Sequence, residues 1–520
     1  MTDLTHGKTV VVTLNGSRLP LLAGRTVASL LPGEHTPCSG HGRCGKCRVT
    51  VEDAAAAEAA GVIDPPTADE RACLRADEIA AGVRLACRLT VWGDVTVTTS
   101  SADHAPMAVL ADGEISDIPA DWVLAPAYAH YGVAVDIGTT TLAARLYDRA
   151  GACLATAVRG NPQTVFGADV VTRLEAAVKG RAATLSGLVR RALDGMLIEL
   201  SESASLPPAA IDGGVLTGNM TMLCLLTGTD VEPLTHAPFA CPRLFGETLT
   251  ARDLGLTAPG EDTPFYLPPA VSAFVGADTV TAALAAGLCR REGSILLIDL
   301  GTNGEMLLSH GGRYLAASVA AGPAFEGVGI SAGQTGRPGA IDRVWVENGR
   351  PAVHTIGDVL PTGLCGSGLV DALATLFSLG WMDETGRLLV ADPAVIASPV
   401  TVTQADVRAL QTAKAAVHAG IRTMLATAGM AEDAPLSLEI AGGFGRALDP
   451  YNAGKIGLLP PACVPKTRSI GNAALMGAVL ALLYPAARRE AATLVAAADV
   501  VELATSPLFA EELIRRMDLA

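Results

Sequence analysis

Two short strings constrain the fold of this chain most: Asp-Ile-Gly-Thr-Thr at 136–140 and Asp-Leu-Gly-Thr-Asn at 299–303, each closing an apolar run. Val133–Ile137 and Ile295–Leu300 read as buried strands. Gly138, Thr139, Thr140 and Thr141 follow the first, and Gly301, Thr302, Asn303 and Gly304 the second. Such a turn aims backbone N–H groups and hydroxyls at one spot, which suits a triphosphate. Asp136 and Asp299, at the strand ends, can hold Mg²⁺ directly or through water, because that ion keeps most of its hydration shell. A second pair of matching elements comes in the same order, Val215–Asn219 and then Leu438–Gly445. Two coincidences in one order predict a duplicated α/β unit with a cleft between its halves. Gly442, Gly443 and Gly445 form a turn where glycine lets an adenosine lie close to backbone. No Walker lysine motif is present, so a P-loop enzyme is excluded.

Gly363–Gly368 is another glycine-dense turn entering a helix, and Gly366 and Ser367 there have two readings. They line the cleft, or they mark a helix N-terminus packed close to a strand. Gln404–Ala428 alternates polar and apolar faces at helical spacing and predicts one amphipathic helix.

The other informative stretch is Pro37–Cys47, where Cys38, Cys44 and Cys47 stand in a C-x5-C-x2-C spacing. Three thiolates on one glycine-rich loop can converge on an iron pair, with glycine letting N–H groups turn toward the sulfurs. The fourth ligand must come from elsewhere. Cys87, followed by a strand, is the better candidate; Cys73, in the helix-like run Asp69–Ala76, is the competitor. Zinc is the alternative metal, but zinc ribbons present two C-x2-C pairs and only one such pair exists here. His41 lies in the loop, yet a Rieske centre needs a second histidine beside a second cysteine pair. Cys153, Cys224, Cys241, Cys289 and Cys463 are expected to be buried hydrophobes.

The metal loop has a recognisable setting. Thr9–Leu14 alternates as a strand, Asn15-Gly16 signals a hairpin turn, and Arg18–Leu22 returns. Thr26–Leu31 suits a short helix, and Arg48–Glu52 and Asp94–Thr99 supply further strands. This is the β-grasp order of plant-type ferredoxins. The predicted organisation is therefore a [2Fe–2S] ferredoxin-type domain at 1–100, a linker at 101–130, ATPase halves at 131–290 and 291–486, and closing helices at 487–520. The Pro/Ala/Asp-rich Ser100–His130 also permits a packed extended segment instead of a linker.

At 520 residues the chain is too long for one core. A net charge of −15 spread along the chain repels phosphate backbones and argues against nucleic acid as a partner. Met1–Val10 mixes polar and charged residues, unlike a signal peptide. The apolar runs near Val271–Cys289 and Ala473–Pro485 are interrupted or too short to span a membrane. A cytoplasmic protein is expected, and its eleven cysteines are not expected to pair as disulfides.

The two Asp-x-Gly-Thr strings and the glycine turn resemble the actin, sugar-kinase and heat-shock-ATPase superfamily. The fold class implied is an α+β β-grasp ferredoxin domain followed by a duplicated α/β, RNase H-like, actin-type ATPase domain. Over nearly the whole chain the combination resembles one family, the reductive activators of corrinoid proteins. Asn161-Pro162-Gln163 with Phe166-Gly167-Ala168-Asp169, Thr217-Gly218-Asn219-Met220, Pro268-Pro269 with Val275-Gly276-Ala277-Asp278, and Gly363–Gly368 carry that likeness. The extra residue between Cys38 and Cys44 is similar to the adrenodoxin-like and activator branches.

The resemblance implies a 2Fe–2S cluster, ATP and Mg²⁺ as cofactors. It implies a corrinoid protein of a methyltransferase system as partner, with methionine synthase and O-demethylase systems both compatible. An upstream electron donor is also implied, and a homodimer is allowed. Some members carry a domain between ferredoxin and ATPase, or C-terminal cysteine clusters, for which this chain has neither room nor residues. Three alternatives stand beside it: an activator of a radical enzyme, a cluster-regulated small-molecule kinase, and a chaperone-like reactivase.

Overall fold

The computed structural model describes residues 9–14, 17–30, 47–99, 111–116, 118–167, 169–241, 243–445 and 447–519. Cys38, Cys44, His41 and the Asn15-Gly16 turn lie outside them. The chain forms two compact units, one drawn from residues 1–105 and 160–181, the other from 106–159 and 182–520. The first of these units includes residues 160–181, which the sequence reading gives to the first ATPase half.

In the first unit, β1 (Thr9–Leu14), β2 (Ser17–Leu22), β3 (Arg48–Val51), β4 (Val83–Leu85) and β5 (Val95–Thr99) form one sheet in the order β2-β1-β5-β3-β4. β1 pairs antiparallel with β2 and parallel with β5, with Val12 opposite Val95. Alternation along β1 turns Val10, Val12 and Leu14 inward, where they meet Val49, Leu85, Leu89 and Val97. The helix expected at Thr26–Leu31 is a single 3₁₀ turn, Val27–Leu30.

β4 has three residues and is held by charge. Arg84 and Glu70 are both fully buried and meet through two bonds of 2.9 and 3.0 Å. The Leu85 amide donates to the same carboxylate at 3.0 Å, and Thr67 and Glu70 close a capping box on the helix Ala68–Cys73. Burial alone would raise the Glu70 carboxyl; Arg84 and the Thr67 and Leu85 amides outweigh it and hold it below the usual range. Its contribution to stability is therefore complete at neutral pH and fades as acid protonates it through that depressed pKa. Arg84→Leu leaves a buried carboxylate unpaired and should destabilise this unit by about 3–5 kcal/mol, read as an early transition in urea unfolding. An unchanged urea profile would mean that the pair contributes nothing.

In the second unit two sheets repeat one plan. The first contains β6 (Tyr131–Ile137), β7 (Thr141–Asp148), β8 (Cys153–Gly160), β9 (Ile211–Gly218), β10 (Glu247–Thr250) and β11 (Pro264–Leu267), ordered β8-β7-β6-β9-β11-β10. The second contains β12 (Ile295–Leu300), β13 (Gly304–His310), β14 (Arg313–Val319), β15 (Ser437–Ala441), β16 (Thr467–Gly471) and β17 (Ala498–Val500), ordered β16-β15-β12-β13-β14-β17. β6 and β12 each pair antiparallel with the strand that follows and parallel with a later one. Both are apolar almost throughout because each is buried on two faces. β17 falls in the segment expected to hold only closing helices.

Helices fill the crossovers: α1 (Ala182–Ser203), α2 (Met220–Thr227), α3 (Ala277–Ala286), α4 (Gly366–Ser378), α5 (Gln404–Thr427) and α6 (Ala473–Leu483). α5 is the amphipathic helix expected from sequence, started by a Thr403–Asp406 capping box. α3 and α6 cross so closely that a Cβ on Gly477 would overlap the Thr281 backbone, and Val280, Leu284, Leu475 and Val479 pack around them.

The stretch expected as a linker is, in its described part, a packed extended segment. The Glu114 amide donates to the Ile470 carbonyl at 3.0 Å, Ser116 to Ala285 at 2.8 Å, and Ala125 to Leu483 at 3.1 Å. Gly113 and Gly471 form an antiparallel bridge. No helix among the described residues is long and apolar enough to cross a membrane.

Candidate functional site

In the second unit, Asp136 and Asp299 are the penultimate residues of β6 and β12, and each strand turns back through its Gly-Thr string. The first turn is closed by the Gly138 amide on the Thr141 carbonyl at 3.0 Å, the second by Gly301 on Asn303 at 3.0 Å. Thr141 and Gly304 are the first residues of the return strands β7 and β13. Gly304 is buried, with Val319 so close that a Cβ would meet it at 2.7 Å.

A carboxylate that the sequence reading missed joins the two turns. Glu326 accepts from Thr302 Oγ1 at 2.7 Å and from Thr140 Oγ1 at 3.4 Å. Thr139 is held from another side by Asn219 Nδ2 at 2.9 Å, while Asn219 Oδ1 caps α2. Asn472, also unnoticed in the sequence, repeats that device: its Oδ1 caps α6 and its Nδ2 donates to Asp136 Oδ2 at 3.0 Å. Both asparagines follow a strand-end glycine and open a helix, a signal available in the sequence as Gly218-Asn219 and Gly471-Asn472.

The cleft collects negative charge. Burial raises Asp136 to about 7; the Asn472 amide opposes this and the Asp299 charge adds to it. Burial, then the Glu326 charge, raises Asp299 to about 6. Asp278 is raised well above the carboxylate range by burial and by Glu305, and Glu305 itself, bonded to Thr279 Oγ1, is raised to about 7 by burial. Carboxylates crowded this way favour a cation. Among the described residues no three His, Cys, Asp or Glu side chains converge as a complete metal site.

Gly442 adjoins this centre, and a Cβ there would lie 2.6 Å from Asp299 Oδ1. Gly442–Gly445 is one helical turn directly after β15. Of the two readings of Gly366 and Ser367, the packed helix N-terminus describes their geometry. Both are buried, Ser367 Oγ donates to the Asp342 carbonyl at 3.0 Å, and a Cβ on Gly366 would strike Phe325 and Phe444.

In the first unit, Cys47 and Cys87 are buried and their sulfurs stand 3.2 Å apart, without a disulfide. Cys47 immediately precedes β3 and Cys87 follows β4, so the β3–β4 pairing, Arg48 opposite Leu85, brings them together. The Ala86 amide donates to the Cys47 carbonyl at 2.7 Å, fixing the approach. Cys73 ends its helix half-buried. Two buried thiols at this separation are a donor set that fits a thiolate-held cluster. Of the other cysteines, Cys224 and Cys463 are buried as expected, Cys241 and Cys289 are half-buried, and Cys153 is exposed where β8 begins with outward-facing residues.

A family profile described as the RACo middle region matches residues 131–291, and one described as the C-terminal domain of RACo, the ASKHA domain, matches 293–520. The corrinoid activation enzyme RamQ of Eubacterium limosum is 35% identical over 73% of this chain and 69% of its own. The chain belongs to the RACo family, the reductive activators of corrinoid proteins. A [Co(II) methylated amine-specific corrinoid protein] reductase of Methanosarcina barkeri is 25% identical over 66% of this chain and 68% of its own. A solved reductive activator for a corrinoid, iron–sulfur protein aligns over 98% of both chains with a TM-score of 0.70 and 25% identity.

The second of the duplicated sheets, within residues 293–520, is therefore that of the ASKHA, actin- and hexokinase-like, C-terminal domain of this RACo family member. Several strings that carried the family likeness are structural in it. Asn161 caps the turn Pro162–Phe166, and buried Arg173 donates to the Gly167 carbonyl at 2.9 Å and to Gln163 at 3.4 Å.

Proposed function

We propose that this chain reduces the cobalt of a corrinoid protein from Co(II) to Co(I), one electron at a time, using ATP. A [2Fe–2S] cluster on Cys38, Cys44, Cys47 and Cys87 of a ferredoxin-type domain at 1–100 is the carrier, and Mg·ATP lies between ATPase halves at 131–290 and 291–486. The observation that carries this reading is the buried Cys47–Cys87 pair, 3.2 Å apart, in a chain that also builds a carboxylate-lined cleft.

Bound there, the cluster supplies a one-electron carrier of about −400 mV. The residues of the first unit do the rest: the Arg84–Glu70 pair fixes β4, and the β3–β4 pairing keeps both thiols out of water. Each ~59 mV by which the cobalt couple lies below the carrier makes the equilibrium about tenfold adverse. Nucleotide helps by stabilising the conformation that prefers the reducible cobalt state, to the extent of its differential affinity. Asp136 and Asp299 position Mg²⁺, Glu326 sets the hydroxyls of Thr140 and Thr302, and Gly442 leaves room beside Asp299. The partner belongs to a methyltransferase system, and an upstream donor restores the electron.

Stopped-flow absorbance of the reduced chain mixed with a Co(II) corrinoid protein should develop the Co(I) band faster with MgATP than without. Equal rates would remove nucleotide from the mechanism.

A further inference from the structure

The packed segment at 111–116 touches both halves of the nucleotide unit and meets the catalytic cleft at one residue. The Asn472 backbone amide donates to the Asp112 carbonyl at 2.9 Å, beside the Glu114–Ile470 bond. Farther along, Ser116 bonds the end of α3 twice, through its amide to Ala285 at 2.8 Å and its hydroxyl to Ala286 at 2.9 Å. Asp112 pairs with Arg145 on β7 at 2.9 Å. The seat is shaped for bare backbone. A Cβ on Gly113 would lie 2.6 Å from the Asn472 carbonyl oxygen and 2.8 Å from Met476 Cγ. Gly471 has φ +62°, and its Cβ would lie 2.5 Å from the Asp112 carbonyl oxygen.

Asn472 thus binds in three directions: backbone to the segment, Oδ1 to the Leu475 amide of α6 at 2.8 Å, and Nδ2 to Asp136 Oδ2 at 3.0 Å. One side-chain rotamer serves both the Oδ1 and the Nδ2 bonds, and the backbone amide of the same residue makes the third. Asp136 belongs to the first half and Asn472 to the second, while residues 111–116 follow soon after the N-terminal unit's residues 1–105 in sequence.

We infer that Asn472 is a positioning residue for Asp136, through which the segment at 111–116 and the magnesium side of the cleft become ordered together. This rests on the reading of the cleft as a Mg·nucleotide site. Fixing Asp136 by magnesium fixes the Asn472 side chain, and with it the backbone amide that holds Asp112. Coupling of this kind is reciprocal, so a loosened segment weakens magnesium in return. The segment at 111–116 is then a reporter of nucleotide state.

Hydrogen exchange of the full chain, with and without the magnesium complex of a non-hydrolysable ATP analogue, tests this. In the wild type, amides of 112–116 and 470–472 should slow several-fold on binding. Asn472→Ser keeps a good helix cap but loses the donor to Asp136. It should still bind nucleotide by calorimetry, need about tenfold more Mg²⁺ for half-maximal hydrolysis, and no longer slow the segment. Gly113→Val, or Asp112→Ala if the valine variant does not fold, should raise the Mg²⁺ requirement in the same sense. Combined with Asn472→Ser, either should add little, because both act through one bond. Equal slowing in Asn472→Ser, or fully additive effects, overturns the coupling. Absence of calorimetric binding in the wild type overturns the nucleotide reading itself, and is distinguishable from binding that leaves exchange unchanged.

Discussion

Cys87→Ser abolishes the visible absorption of the purified anaerobic protein and its electron transfer to cobalt, whereas Cys73→Ser leaves both intact. Serine offers no thiolate, and the missing sulfur would leave the cluster three protein thiolates instead of four, with one iron keeping only a single protein ligand. The contrast between the two variants follows from position. Cys87 stands 3.2 Å from Cys47 in the core of the first unit, where the Ala86–Cys47 backbone bond holds it. Cys73 sits half-buried at a helix end whose carbonyl receives Arg48 at 3.5 Å. Iron and acid-labile sulfide analysis decides the matter. Iron retained in Cys87→Ser but lost in Cys73→Ser would reassign the fourth ligand, and stoichiometric zinc in the wild type would sink the cluster altogether.

Asp136→Asn and Asp299→Asn should each lower ATP hydrolysis by roughly 10²–10³-fold, and they should raise the thermal stability of the metal-free chain. The sign of the second effect comes from linkage. Free carboxylates ionise near pH 4, while the folded chain holds the Asp136 proton to about 7 and the Asp299 proton to about 6. Between those limits the folded state binds more protons than the unfolded one, so stability falls as pH rises. Magnesium reverses the trend, because it needs the ionised groups and expels the protons. Calorimetric melting at pH 6 and pH 8 should show MgADP stabilising the wild type more at the higher pH, with the asparagine variants nearly indifferent to it. A wild-type melting temperature unmoved by MgADP at both pH values would refute the assignment.

What the sequence disclosed, and what it concealed, divides along the range of the forces involved. β1 and β12 appeared with the bounds read from apolar patterning, and Gln404–Ala428 became one helix, because periodicity records which face is buried. The apolar ends of β6 and β9 were visible for the same reason. Glu326 and Asn472 were invisible as site residues. Their roles come from bonds to Thr302, Thr140 and Asp136, which are remote in sequence and met only after both sheets assemble. The Arg84–Glu70 pair was hidden likewise, since a charged residue in sequence reads as surface. The described residues 111–116 and 118–130 looked featureless because a segment bonded by backbone to other elements leaves no pattern in its side chains.

The crossing of α3 and α6 fixes how those two helices are joined. With no side chain at Gly477 to separate them, they touch backbone to backbone at Thr281. Val280, Leu284, Leu475 and Val479 close around that contact, so the pair is keyed to one register, and any larger residue at position 477 must part the helices.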